Sequence, residues 1–367
     1  MKAMILAAGK GTRVRPLTYE MPKPMIPIMG KPVMEYLIED LARHGFDDIM
    51  INVSHLPEKI ENYFGNGQRL GVNIGYSFEG YIKDGETHST AFGSGGGLKR
   101  IQDFSGFFDD TFLVVCGDAL IDLDLTSALR KHWQSGAVAS VCTLEVPLEQ
   151  VPSYGVVVCD KESRITSFQE KPSVKDAKSN LVNTGIYIFE PEVLDLIPSN
   201  ENYDIGSELF PKLVELGLPF YAINIPFTWI DIGQIRDYWD ANQQLMNGAL
   251  RDVPMPGKEV RPGVWTGINV SVDWDEVDIQ GPVYIGSSSR IEAGATIVGP
   301  TWIGNGCHVR AGAYLLRSII FEYTRIGKDS IIKDSVAFGR YCVDRQGNTT
   351  QADDLNIDWV SDARVKD

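Results

Sequence analysis

The chain has 367 residues, of which 43% are hydrophobic and 23% charged, a composition typical of a globular protein large enough for two domains. Its formal net charge of −15 argues against a nucleic acid or an anionic membrane surface as a main partner. No apolar run approaches the roughly 20 residues that a membrane span requires, and the start of the chain does not resemble a signal peptide, so a cytoplasmic protein is expected.

The charge is unevenly distributed along the chain. The first 31 residues contain six lysines and arginines against a single glutamate. These basic residues are interleaved with glycine, proline and apolar residues, which is not the pattern of a solvated basic tail. A basic island in an acidic protein indicates a small, highly anionic ligand. The five cysteines are widely spaced without a C-x-x-C pair, so reduced thiols are predicted rather than disulfides or a zinc site.

Up to about residue 245, short apolar runs alternate with amphipathic stretches, which predicts an α/β sandwich on a mostly parallel sheet. Strands are predicted at residues 3–6, 48–53, 72–78 and 111–116. A helix is predicted after Pro32, because Met34, Leu37, Ile38 and Leu41 recur at helical spacing. The polar, glycine-containing segment 80–92 is predicted to be a surface loop.

The second half of the chain has a different period. Aliphatic or aromatic residues recur every six positions, with one five-residue step: Ile279, Ile285, Ile291, Ile297, Ile303, Val309, Leu315, Ile320, Ile326, Ile332 and Phe338. This hexapeptide pattern resembles the left-handed parallel β-helix. The alternative, an antiparallel sandwich, needs turn signals every 8 to 12 residues. Residues 264–278 follow the period poorly and predict an irregular first coil.

These patterns divide the chain into four predicted regions: an α/β domain at 1–246, a proline- and glycine-rich linker at 247–263, a left-handed β-helix at 264–342 and an acidic tail at 343–367.

A phosphate-binding turn is predicted directly after the first strand, at Gly9-Lys10-Gly11-Thr12-Arg13. Glycines at the carboxyl end of a strand let backbone N–H groups approach phosphate oxygens, and open α/β sheets bind ligands at that edge. The turn is neither a P-loop nor a dinucleotide fingerprint, since Val14 occupies the third glycine position of the latter.

A longer set of motifs resembles the sugar-1-phosphate nucleotidylyltransferases. It comprises residues 6–13, Pro16-Leu17-Thr18, Pro22-Lys23-Pro24, Cys116-Gly117-Asp118, Ser153-Tyr154-Gly155-Val156, Glu170-Lys171-Pro172, Asn183-Thr184-Gly185 and Trp229-Ile230-Asp231-Ile232-Gly233. The resemblance covers nearly the whole chain. It implies a Rossmann-like nucleotidyltransferase domain in which a sugar 1-phosphate attacks the α-phosphorus of a nucleoside triphosphate and pyrophosphate leaves.

The resemblance also implies roles for five charged residues. Arg13 and Lys23 would neutralise the triphosphate and the leaving pyrophosphate, and Lys171 would hold the phosphate of the sugar. Asp118 and Asp231 would hold Mg²⁺, which suits an ion that takes one or two carboxylates plus substrate phosphates. Cations are needed because two like unit charges at 4 Å repel by about 4 kcal/mol at an effective dielectric constant of 20.

Contacts to the hexose and to the nucleotide follow from the same resemblance. Glu170 would accept hydrogen bonds from hexose hydroxyls, and Gly155 and Asn183 would line that pocket. The nucleotide would contact Leu6, Ala8, Gly9, Gly11, Thr12, Gly95 and Gly96, the last two within the glycine run 93–97 that precedes a helix-like segment at 98–101.

Several alternatives remain open on sequence alone. The chain resembles two groups in the family, mannose-1-phosphate guanylyltransferases and the cyanobacterial type of UDP-glucose pyrophosphorylase, and we favour the second. A third possibility is a non-catalytic, nucleotide-sugar-sensing subunit, although all five charged residues are retained. A β-helix that transfers acyl groups with His308 as base is a fourth, and a helix used for packing and homo-oligomer contacts is favoured over it.

Overall fold

The structure, a computed structural model, describes residues 1–90, 92–250, 253–352 and 359–365. The chain folds into two compact units. The first consists of Met1–Gly11, Glu20–Ile26 and Pro32–Trp229, and the second of Thr12–Tyr19, Pro27–Lys31 and Ile230–Asp367. Among the described residues, no helix combines the length and apolar character needed to cross a membrane.

A nine-stranded sheet forms the centre of the first unit. Its strands are β1 (Lys2–Leu6), β2 (Asp48–Val53), β3 (Asn73–Phe78), β4 (Phe112–Cys116), β5 (Ala139–Glu145), β6 (Gly155–Cys159), β7 (Ile165–Glu170), β8 (Leu181–Phe189) and β9 (Phe220–Asn224). The order is β7-β6-β8-β4-β1-β2-β3, and β5 pairs with both β8 and β9. The neighbours β4, β1, β2 and β3 are parallel, while β8 runs antiparallel to β4. The predicted Rossmann-like, mostly parallel fold is confirmed.

The helices follow the apolar periodicity of the sequence. They are α1 (Val33–Arg43), α2 (Pro57–Phe64), α3 (Gly93–Ser105), α4 (Leu125–Ser135), α5 (Phe210–Glu215) and, in the second unit, α6 (Ile235–Met246). The helix α1 begins after Pro32 and buries Met34, Leu37, Ile38 and Leu41, as predicted. The helix α4 is capped by Asp124, whose carboxylate accepts from Ser127 N at 2.9 Å.

Two local predictions in the first unit are wrong. The segment 80–92 is not a simple loop, because Gly80–Lys83 and Glu86–Ser89 pair as an antiparallel hairpin around an Asp84-Gly85 turn. The glycine run does not precede a helix but forms the first turn of α3. Because glycine is a weak helix former, helix propensity alone predicts that this helix begins only at Leu98.

Three parallel sheets build the β-helix of the second unit. One contains Val264–Thr266, Val283–Ile285, Thr301–Ile303, Ile319–Ile320 and Ser335–Phe338; the next contains Ser271–Val272, Arg290–Ile291, His308–Val309 and Thr324–Ile326; the third contains Asp278–Gln280, Thr296–Val298, Tyr314–Leu316 and Ile331–Lys333. The hexad residues pack in its buried interior. The parallel β-helix is therefore confirmed, whereas its left-handed sense stays a prediction.

The ends of the β-helix are more regular than the sequence suggests. Strands in 264–280 pair in parallel with the next coil, so the prediction of an irregular first coil is wrong. Within the predicted linker, Lys258–Arg261 pairs with Val264–Thr266. Within the predicted tail, Thr349–Gln351 and Val360–Asp362 also pair with strands of this unit. The hexapeptide rule misses these segments because their pairing does not need an aliphatic residue at each sixth position.

A buried polar cluster joins α4 to the sheet at the edge opposite the carboxyl end of β1. His132 is fully buried, with Nδ1 2.8 Å from Ser140 Oγ and Nε2 3.1 Å from Glu190 Oε1. Thr111 Oγ1 donates to the same carboxylate oxygen at 2.7 Å. Burial lowers the pKa of His132, and the nearby Glu190 carboxylate only partly opposes this shift.

This lowered pKa predicts an acid-sensitive fold. Below pH about 6.5 the unfolded chain binds a proton at His132 before the folded chain does, so the free energy of unfolding falls as the pH falls through this value. We expect the melting temperature to fall less between pH 7.5 and 5.5 in His132→Gln than in the wild type, although the variant is less stable at pH 7.5. Parallel melting curves of the two proteins against pH would contradict this prediction.

Candidate active site

The carboxyl end of β1 is held between its two neighbours by hydrogen bonds beyond the strand pairing. Ala7 N donates to Asn52 Oδ1 at 2.7 Å, and Gly117 N donates to Leu6 O at 3.0 Å. Because β1, β2 and β4 are parallel, the loops that follow them emerge at one edge of the sheet. The predicted phosphate turn and Asp118 are therefore placed at the same edge.

Four of the predicted nucleotide contacts lie at the end of β1 or on the loop that follows it. Leu6 ends β1, and Ala8 and Gly9 follow it, with Gly9 exposed. No described atom lies within 4 Å of the position that a Cβ on Gly9 would occupy. Gly11 has φ +61°, a left-handed conformation that favours glycine. A ligand can therefore approach the backbone of this loop closely.

Behind the loop lies a buried polar network that sequence reasoning missed. Asn52 receives the Ala7 N–H and donates its own Nδ2 to Glu79 Oε1 at 2.8 Å. Both side chains are almost completely buried. Burial raises the pKa of the Glu79 carboxyl, while the Asn52 amide and the Phe92 N–H oppose this shift. An asparagine within an apolar strand and a glutamate just after one were the available signals.

The glycine run of α3 is in close contact with other parts of the first unit. Gly95 N and Gly96 N both donate to Tyr203 O at 2.9 Å. A Cβ on Gly96 would lie 2.5 Å from Glu201 O, and one on Gly97 would overlap Glu79 Oε1. These N–H groups are already engaged within the protein, and the predicted base contacts of Gly95 and Gly96 stay a prediction.

A buried lysine meets the carboxylate after β4. Lys23 lies in a short 3-10 helix, Lys23–Met25, whose backbone is restricted by Pro22 and Pro24. Its Nζ lies 2.5 Å from Asp118 Oδ2, and the two side chains are 10% and 28% exposed. The structure thus brings together a predicted triphosphate ligand and a predicted metal ligand. The limited exposure weakens solvent screening of this pair.

A second group of predicted residues lies at the end of β7. Glu170 pairs with Gly155 across the β6–β7 ladder, and both Glu170 and Lys171 are exposed. Lys171 Nζ is 3.2 Å from Glu170 Oε1, and Lys171 N donates to Tyr154 O at 3.2 Å. The rings of Tyr154 and Trp229 lie 5.1 Å apart. An ammonium, a carboxylate and aromatic rings match what a sugar phosphate needs.

Asn183 lies on β8 beside β6, with its amide engaged inside the protein. Its Nδ2 donates to Tyr187 OH at 3.1 Å, and its Oδ1 accepts from Gly185 N at 2.9 Å. In the part of the chain that the structure describes, these two bonds leave one amide proton and one carbonyl lone pair of Asn183 for a further partner.

Arg13 and Asp231 belong to the second unit. Arg13 lies in the short helix Thr12–Val14, together with the predicted nucleotide residue Thr12. Around the Cβ position of Gly233, Asp237 Oδ2 lies at 3.0 Å, Asp231 Oδ2 at 3.2 Å and Arg13 Nη1 at 3.9 Å. A guanidinium and two carboxylates thus lie close together around Gly233. The sequence motifs did not include Asp237.

The described residues contain no cluster of three or more His, Cys, Asp or Glu side chains suited to a metal ion. Mg²⁺ commonly takes one or two carboxylates and completes its shell with water and phosphate oxygens. The donor chemistry of Asp118 and Asp231 fits such an ion.

Comparison with known proteins identifies the family of this chain. Residues 2–248 match the model of the nucleotidyl transferase family, and residues 279–346 match that of the GMPPB C-terminal domain. The chain belongs to the nucleotidyl transferase family. The predicted family resemblance is therefore confirmed, and members of this family generally use a divalent metal.

Individual relatives of this nucleotidyl transferase differ in similarity. A UTP–glucose-1-phosphate uridylyltransferase of Synechocystis sp. is 58% identical over 99% of this chain and 94% of the relative. A mannose-1-phosphate guanylyltransferase of Mycobacterium tuberculosis is 31% identical over 73% of this chain and 71% of the relative. A solved UDP-glucose pyrophosphorylase complexed with UDP-glucose shares the fold, with a TM-score of 0.57 and 24% identity over 67% of this chain and 98% of that structure.

The buried network behind the nucleotide loop yields a stability prediction. In Asn52→Ala the Ala7 N–H and the Glu79 carboxylate each lose a partner, and a buried group left unsatisfied costs about 1–3 kcal/mol. We expect urea unfolding to show a loss of at least this size. Asn73→Ala, which removes an exposed bond to Asp48, is the control and should change stability by less than about 0.5 kcal/mol. Equal losses in the two variants would contradict the role of the network.

Proposed function

We propose that this nucleotidyl transferase is a UTP–glucose-1-phosphate uridylyltransferase that forms UDP-glucose and pyrophosphate with Mg²⁺. The observation that carries the proposal is the 58% identity to the Synechocystis enzyme of that name along almost the whole of both chains. The guanylyltransferase relative is much less similar and is matched over a shorter part of the chain.

The reaction makes specific demands on the site. The phosphate of glucose 1-phosphate is largely ionised near neutral pH, because its second pKa is about 6, so the nucleophile needs no general base. The main barrier is the repulsion between two anionic reactants. Positioned cations lower it, as in other phosphoryl-type transfers.

Basic side chains of this protein would provide positive charge next to each of the two reactants. Lys23 and Arg13 would bind the triphosphate, and Lys171 would bind the phosphate of the sugar. Asp118 neutralises Lys23 before substrates arrive, which lowers the cost of keeping this ammonium buried. Mg²⁺ held by Asp118 and Asp231 would neutralise phosphate oxygens as a Lewis acid. Glu170 would orient the hexose through its hydroxyls, next to the Lys171 ammonium.

Three further expectations accompany the proposal. A cytoplasmic location, assembly of a homo-oligomer through the β-helix and the choice of magnesium over other divalent ions stay predictions.

His308 Nε2 lies 2.7 Å from Glu292 Oε1 in the β-helix, and this pair enters no step of the proposed reaction.

Pyrophosphate release tests the substrate assignment. UTP, GTP, dTTP, CTP and ATP are each supplied with glucose 1-phosphate or mannose 1-phosphate and MgCl₂. We expect the fastest turnover with UTP and glucose 1-phosphate. A tenfold or larger preference for GTP with mannose 1-phosphate would overturn the substrate assignment but leave the enzyme class intact, whereas no turnover with any pair would overturn both.

A lysine pair near the end of β7 tests the sugar-phosphate role. Loss of a charged hydrogen bond costs about 1.5–3 kcal/mol, so Lys171→Met should raise the KM for glucose 1-phosphate by about 10- to 100-fold while the KM for UTP changes little. Lys175→Met removes an exposed ammonium four residues away and should behave as the wild type. Steady-state kinetics with each substrate varied in turn provides the comparison, and similar KM values in the two variants would exclude the assigned role.

A further inference from the structure

Gly206 lies beside the carboxylate of Glu170, in the π-helical segment Ile205–Leu209 that leads into α5. A Cβ built on Gly206 would lie 3.4 Å from Asp204 Oδ1, 3.6 Å from Phe168 Cζ and 3.7 Å from Glu170 Oε2. These are ordinary van der Waals distances, so the described residues leave room for a methyl group. The backbone of Gly206 is also outside the left-handed region. Neither packing nor conformation within the protein requires glycine here.

A glycine in a helix still needs a reason, because glycine is among the least favourable helix residues. For Gly155, which also lies next to Glu170, the reason is packing within the protein, since its Cβ would lie 2.5 Å from the Phe168 ring. Gly206 resembles Gly9 instead. Both have a φ outside the left-handed region, and at neither does a described atom lie closer than 3.4 Å to the Cβ position. Gly9 lies on the loop where close approach of a ligand is expected.

The surroundings of Gly206 are fixed by hydrogen bonds within the first unit. Asp204 caps the segment by accepting from Ser207 N at 2.8 Å. Its other carboxylate oxygen accepts from Ser94 Oγ at 2.8 Å, and Ser94 Oγ accepts from Ile205 N at 2.9 Å. The segment is thus tied to the first turn of α3. The position of Gly206 beside Glu170 is therefore fixed by hydrogen bonds within the first unit.

We propose that Gly206 determines sugar specificity, by leaving free the space beside Glu170 that the hexose ring of the sugar 1-phosphate occupies. This inference rests on the proposed function and extends it to a residue outside the family motifs quoted above. Gly206 is partly exposed and Glu170 is 46% exposed, so a ligand reaches the space from solvent. A hexose hydroxyl bound to Glu170 would place ring atoms against the Gly206 backbone, where any side chain would intrude.

The substitution Gly206→Ala tests this inference. We expect the variant to keep or gain thermal stability while its affinity for the sugar 1-phosphate falls. The added methyl favours the helix, so the melting temperature should stay unchanged or rise by about 2 °C. The KM for glucose 1-phosphate should rise about tenfold or more, while the KM for UTP stays within about twofold. A purely structural glycine would instead show a lower melting temperature and a shift in both KM values, and that result would overturn the inference.

Gly155→Ala is the contrasting variant, because its methyl group meets the Phe168 ring and should lower the melting temperature. An unchanged KM for the sugar phosphate in Gly206→Ala would also overturn the inference. The wild-type enzyme is first assayed with glucose 1-phosphate and mannose 1-phosphate. A preference for mannose 1-phosphate contradicts only the proposed substrate, and the variant is then compared on mannose 1-phosphate; no turnover with either sugar overturns both proposals.

Discussion

The structure of the first unit depends on how the carboxyl end of β1 is held. Two hydrogen bonds hold it. Ala7 N, just after β1, donates to Asn52 in β2, and Gly117 N, just after β4, donates to Leu6 O at the end of β1. A glycine-containing loop would otherwise have high conformational entropy, and ordering it would reduce the affinity for any ligand it binds. Because Asn52 also bonds the buried Glu79, the constraint extends to the first turn of α3. Parallel pairing brings these loops together, and the polar bonds determine their conformation.

Glycines in this protein allow close approach of two different kinds of group, one from the protein itself and one from a ligand. At Gly96 and Gly97 the approaching group belongs to the protein, either a backbone carbonyl or the Glu79 carboxylate. At Gly9 no neighbouring atom among the described residues lies within 4 Å of the Cβ position, and at Gly206 the neighbours lie at van der Waals distance, so the protein itself leaves room for a methyl group at both positions. Sequence alone does not distinguish these cases, since each is a glycine beside a strand or helix. The distinction needs the positions of neighbouring atoms, and it changes which glycines are functional candidates.

Periodicity and motif order made most of the architecture predictable. The six-residue repeat indicated the parallel β-helix, because one aliphatic residue per hexad is what a narrow, closed interior selects. The order of the motifs indicated the family and placed Lys23 with Asp118 and Glu170 with Lys171. Long-range polar contacts were not predictable. Asn52 and Glu79 are 27 residues apart, and a strand pattern shows only which face a residue occupies. The hairpin at Gly80–Lys83 was missed because polar strands lack an apolar alternation.

The β-helix is an integral part of the second unit. Trp302 packs against Gly30, whose Cβ would lie 3.0 Å from the indole, and Tyr284 stacks on the same ring. The helix α6 bonds the segment Pro27–Lys31 through Tyr238 OH and bonds Arg317 O through Trp239 Nε1. The first turn of α6 carries Asp237, next to Asp231 and Arg13. Within the second unit, α6 thus bonds the β-helix and also carries one carboxylate of this charged group. The hexapeptide repeats therefore help to position the helix whose first turn carries Asp237.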